Sequence, residues 1–216
     1  MPKDNIIPLR RPRDGDRYRL PHSSWAAWRS FWNASLDRLA FYAENQSEET
    51  KMHDLRRDLK IVAPAGQPVI TMTRSFSAPR ALVWKAMSEP EHVVRWWGPH
   101  DHRNRAVEFD FRVGGKWRIE STMSGGEVMN FFGEFREIEA PRRLIQTFAF
   151  DGLPEGMFSV DTVELEEVDG RTLYRATSLM PDLASRDGML ESGMETGVVE
   201  GFERLDAMLE EFKARA

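Results

Sequence analysis

The sequence predicts an α+β fold in which an antiparallel sheet of about seven strands faces one long C-terminal helix. Three observations carry this. Closely spaced turn signals, Gly114-Gly115, Ser124-Gly125-Gly126, Ala140-Pro141, Asp151-Gly152 and Asp169-Gly170, divide the second half of the chain into consecutive hairpins. The elements run in the order strand, two helices, six strands, helix. The last segment is amphipathic, with Leu190, Met194, Gly197, Val198, Gly201, Leu205, Met208, Leu209 and Phe212 on one broad face that can cover the concave side of the sheet.

Residues 1–22 hold four prolines and more Lys and Arg than Asp and Glu, the composition of an extended basic arm. Ser23 or Ser24 then caps a helix running to about Glu44. Along it Trp25, Trp28, Trp32, Leu36 and Leu39 recur at spacings of three and four, a narrow aromatic seam. Such a seam needs cover, either from the main domain or from a second copy in a homodimer. The polar remainder of residues 23–66, with a short helix around Glu48 to Leu59, reads as a linker to a domain spanning 67–216.

In that domain Val69–Phe76 reads as the first strand. Pro79 suits the first turn of the helix ALVWKAM, where its missing N–H is not needed, and Pro90 opens a second helix that stops at Trp96-Trp97-Gly98-Pro99. Strands are expected at about Ala106–Val113, Lys116–Met123, Asn130–Glu139, Arg143–Phe150, Ser159–Val168 and Thr172–Met180, and the last helix from Ser185 to Lys213.

The totals narrow the function classes. A chain of 216 residues fits one domain with a sizeable appendage, or two small ones. The net charge of −5 gives no global reason to expect nucleic acid as a partner. With no cysteine, disulfide and thiolate chemistry are excluded and the cytoplasm is the simplest compartment. The N-terminus lacks the pattern of a signal peptide, and no apolar run is long enough to span a bilayer.

Several motifs in fixed order resemble a known superfamily. They are Arg74-Ser75-Phe76-Ser77-Ala78-Pro79, Val83-Trp84, Trp96-Trp97-Gly98-Pro99, Asp110-Phe111-Arg112-Val113-Gly114-Gly115-Lys116-Trp117, Pro141-Arg142-Arg143-Leu144, and Gly193-Met194-Glu195 leading to Leu205-Asp206. Together they resemble the START-like, or helix-grip (SRPBCC), superfamily, in the branch named for activators of the heat-shock protein 90 ATPase. The resemblance covers roughly Val69 to Phe212. It implies a curved sheet wrapped around the C-terminal helix with a cavity between them, a fold whose members act mostly by what they hold. It implies no catalytic signature. Residues 15–45 also resemble the C-terminal tail of ArsR-type winged-helix repressors, without the recognition helix or wing.

On this basis the expected cavity residues are Trp96, Trp97, Phe109, Phe111, Trp117, Ile119, Phe132, Phe148 and Phe150 from the sheet side, with Met194, Gly197, Val198 and Gly201 from the helix. Gly193, Gly197 and Gly201 form a stripe that costs about 1 kcal/mol per glycine in a helix. Either close packing or room for a ligand must offset that cost. His100-Asp101-His102 is the nearest approach to a metal motif, but it lies in a polar loop with no third histidine near it, so no metal is expected. No cofactor is expected, and no nucleophile motif is present. Burial could shift Asp110 or bring Arg112 or Tyr174 to a ligand, yet Asp110 more simply pairs with an arginine.

The leading expectation is therefore a binder of a hydrophobic or aromatic small molecule. The alternatives are a protein-interaction or co-chaperone-like module, including the dimerising remnant of a transcriptional regulator, and an aromatase/cyclase-like enzyme. The last would need interior titratable groups.

Overall fold

The computed structural model describes residues 59–215. The arm, the tryptophan seam of Trp25, Trp28, Trp32, Leu36 and Leu39, and most of the linker lie outside the described residues.

The described chain comprises β1 (Lys60–Val62), β2 (Val69–Phe76), α1 (Arg80–Ser88), α2 (Pro90–Trp96), β3 (Arg103–Phe109), β4 (Lys116–Thr122), β5 (Val128–Glu139), β6 (Arg143–Phe150), β7 (Ser159–Val168), β8 (Arg171–Leu179), α3 (Leu183–Glu191) and α4 (Met194–Ala214). All eight strands form one antiparallel sheet in the order β1-β2-β8-β7-β6-β5-β4-β3. This is the predicted α+β architecture with one strand more. The extra strand, β1, lies in the stretch read as linker; three residues are too few to show alternation.

Period-two alternation decides which side chains face inward. Ile70, Phe76, Trp117, Ile119, Met129, Phe131, Phe135, Leu144, Val163, Leu165, Tyr174 and Ala176 are buried on the inner face and form one core with Phe202, Leu205, Met208 and Leu209 of α4. Helix α2 packs on α4 and on β3.

The expected single C-terminal helix is two. Asp182 caps α3, its carboxylate accepting the Ser185 N–H at 2.7 Å. The chain then turns at Gly193, whose φ of 82° is left-handed and favours glycine, before α4 begins. A hydrophobic periodicity that runs through such a turn does not reveal it.

A half-buried ion pair fastens α4 to the sheet. Arg74 of β2 donates to Asp206, and its guanidinium lies 4.7 Å from the Phe76 ring centroid and 5.2 Å from that of Phe202. Among the described residues no helix is long and apolar enough to cross a membrane.

Gly133 in β5 is fixed by close approach. A Cβ there would fall 1.9 Å from the Thr147 carbonyl oxygen and 2.8 Å from the Trp117 indole nitrogen. Backbone cannot yield to that overlap without parting β5 from β6. Gly133→Ala is expected to cost about 3 kcal/mol or more, in the range of severe overpacking. Chemical denaturation measures this directly, and a loss under about 1 kcal/mol would contradict the packing.

Candidate functional site

Between the sheet and the helices lies a cavity of about 200 Å³. Its sheet wall comes from β2, β5, β6, β7 and β8, and its other wall from α1, α2, α3 and α4 with the turn after α2.

The tryptophan turn is held in place from three sides. The Trp96 indole N–H donates to the Ala86 carbonyl at 2.8 Å. The Asn104 amide donates to the carbonyl of Trp97 at 2.7 Å. Arg204 on α4 donates to the carbonyls of Trp97, Gly98 and Pro99 at 3.2, 3.3 and 2.8 Å. Gly201 allows this approach, since a Cβ there would sit 3.0 Å from the Trp96 carbonyl oxygen. The turn thereby projects Trp97 into an aromatic group, its ring centroid 5.8 Å from Trp117, 5.8 Å from Phe131 and 6.3 Å from Phe148.

Of the residues expected at the cavity, Trp96, Trp97, Phe148, Met194, Gly197, Val198 and Gly201 line it. The others sit elsewhere, each for a definable reason. Trp117 and Ile119 are inner-face core, 2% and 1% exposed, behind the aromatic wall rather than on it. Phe132 is on the opposite face of β5, under the Arg118 guanidinium at 5.2 Å, while its neighbour Phe131 faces inward. Phe109 and Phe111 stack on each other at 6.1 Å and pack edge-on to Phe135. The expected strand through Val113 ends at Phe109, so strand alternation does not extend to Phe111, which lines a small cleft with Trp84 and Leu144. Phe150 lines a narrow space beside the main cavity with Leu153 and Met157.

The glycine stripe has three separate explanations. Gly193 turns the chain, Gly201 admits the tryptophan turn, and Gly197 lines the cavity. Asp110 pairs with Arg112 at 2.8 Å. The His100 ring is 2.7 Å from Glu203, and His102 is buried with its ring 3.4 Å from Asp101.

Of the polar groups at the cavity, Tyr174 is the one singled out from the sequence; Asp161, Gln146, Ser159 and Ser178 are not among the candidates read there. Asp161 lines the cavity, with Ser178 directly across on β8 and Gln146 directly across on β6, both also lining. The Ser159 hydroxyl donates to Asp161 at 2.9 Å, and the Ser178 side chain also hydrogen-bonds it. Burial raises the Asp161 pKa from 3.8 to about 6, against the opposing pull of the two serine hydrogen bonds. Burial, and then the charge on Asp161, push the Tyr174 phenol up, so it remains a neutral O–H. Among the described lining residues there is no Lys, Arg or His. The sequence did carry a signal here: Ser159 and Asp161 share parity with the core residues Val163 and Leu165, so an acid stands at an apolar position of the alternation.

A sheet gripping a C-terminal helix around a lined cavity defines the helix-grip fold class. The family model described as activator of Hsp90 ATPase homolog 1-like protein matches residues 77–210, and the chain belongs to that family. Solved structures agree. A protein from Arthrobacter aurescens is 29% identical with a TM-score of 0.65, over 70% of this chain and 91% of its own. One from Rhodobacter sphaeroides is 25% identical with a TM-score of 0.64, over 70% of this chain and 98% of its own. A Mycobacterium smegmatis protein shares the fold at 21% identity and a TM-score of 0.64, over 69% and 95%. No curated protein matches the chain.

Proposed function

We propose that this protein binds a small, largely apolar or aromatic molecule in the cavity between the sheet and α4. The observation that carries this reading is an apolar space of about 200 Å³ walled by Trp97, Phe131 and Phe148 and floored by a glycine of α4. A dry cavity of about 150 Å³ takes benzene, so this space suits a ligand of one or two rings. Burying about 200 Å² of such a ligand at about 25 cal/mol per Å² is worth about 5 kcal/mol before the costs of association. Family membership supports the reading, since proteins of this kind commonly hold hydrophobic ligands.

Binding is preferred to turnover. The aromatase/cyclase-like alternative needs interior acid–base groups, for which Asp161 and the Tyr174 phenol are the candidates, but the mainly apolar and aromatic lining favours holding a ligand. The cytoplasm is the compartment we assign to this binder, in keeping with a chain free of cysteine.

Isothermal titration with 2-naphthylmethanol tests the proposal. The expected dissociation constant is about 1 mM, corresponding to about −4 kcal/mol and so within the gain from burial. No detectable heat, together with no thermal stabilisation at millimolar ligand, would rule this reading out.

A further inference from the structure

Within the binding reading just given, and resting on it, we propose that the ligand carries one protonated amine on its aromatic or apolar body, and that the amine pairs with Asp161.

The composition of the lining is the first argument. A carboxylate in an apolar cavity is costly unless a cation or several hydrogen bonds compensate it. Asp161 has two serine hydroxyls, and no Lys, Arg or His forms an ion pair with it among the described residues. Arg74, the one basic residue of β2, is engaged by Asp206. The remaining groups facing Asp161 are neutral: Gln146 from β6, Ser159 from β7, Ser178 and the Tyr174 phenol from β8. The helix residues that line the cavity, from Met87 and Trp96 to those of α3 and α4, bring no charge. Among the described residues no positive charge answers Asp161, and a ligand amine would supply one.

The second argument is the aromatic wall. Trp97, Phe131, Phe148 and Tyr174 line the same space, and ring faces attract ammonium groups as well as apolar surface. An anionic ligand would meet Asp161 as a like charge. A neutral one would leave it without a counter-charge. An arylalkylamine satisfies both the wall and the acid.

The test compares two probes of nearly equal size, 2-naphthylmethylamine and 2-naphthylmethanol, by isothermal titration at pH 7.5 on the full chain and on Asp161→Asn. The amine is expected to bind the unaltered protein at least about tenfold more tightly than the alcohol, as close charge pairing at an interface allows. In Asp161→Asn that preference should vanish, with amine and alcohol binding the variant equally. Equal binding of both probes by the unaltered protein overturns the amine inference and leaves the cavity reading standing. A preference that survives in the variant also overturns it. Failure of both probes to bind removes the two readings together. The comparison within the unaltered protein decides the matter even if the variant does not fold.

Discussion

Gly197→Leu is expected to abolish ligand binding while leaving the fold intact. Gly197 lies in the interior of α4 and lines the cavity, so a leucine side chain there would occupy space that the ligand needs. Inside a helix leucine is favoured over glycine by about 0.8 kcal/mol, and its side chain would be buried against apolar walls. The variant should therefore melt at or above the temperature of the unaltered protein. Its affinity for 2-naphthylmethanol should fall at least about a hundredfold, or about 2.7 kcal/mol. Titration calorimetry beside a thermal melt reads both quantities. Undiminished affinity would mean that the ligand sits away from α4. A collapse in stability would mean that Gly197 is there for packing, as Gly201 is.

The second large effect concerns stability and pH. Asp161→Asn should make the protein more stable near pH 8 by up to about 3 kcal/mol, the equivalent of a shift of roughly two pKa units. The direction follows from linkage. The folded-state pKa is raised from 3.8 to about 6, so folding favours the protonated acid. Below about pH 4 the acid is protonated in both states and costs nothing. Between about pH 4 and pH 6 its ionisation in the unfolded chain increasingly favours unfolding, and above pH 6 the penalty is complete. The advantage of the asparagine variant should thus disappear as pH falls toward 4, where carboxyl and amide are both neutral. Urea denaturation of the two proteins at pH 4, 6 and 8 checks this. A variant less stable than its parent at pH 8 would show that the ionised carboxylate is held by the fold rather than burdening it. Destabilising polar groups retained in a cavity are characteristic of binding sites, where stability and function trade against each other.

The sequence was legible where one physical signal dominates. Hairpin turns, proline-started helices and the amphipathic last segment have strong local chemistry, so the order of elements from β2 to β8 follows from them. Legibility ended where two signals compete. The Phe131-Phe132 pair looks the same from either register, and only pairing with β4 and β6 determines that Phe131 faces inward. The chain leaves β3 after Phe109, which uncouples Phe111 from strand parity. Gly193, Gly197 and Gly201 share one spacing but have three different causes, and these depend on partners distant in sequence. Trp117 has the same inward parity as a lining residue. Only the position of Trp97 in front of it puts it in the second layer. Asp161 could have been found from the strand alternation alone, by asking which polar residue occupies an apolar position.

A crystal structure of the protein grown with 2-naphthylmethanol tests the central claim most directly. Electron density for the bicyclic ring is expected between Trp97, Phe148 and Gly197, with the ligand hydroxyl toward Asp161. Clear density for these side chains closing on one another, with no space between sheet and α4, would contradict it.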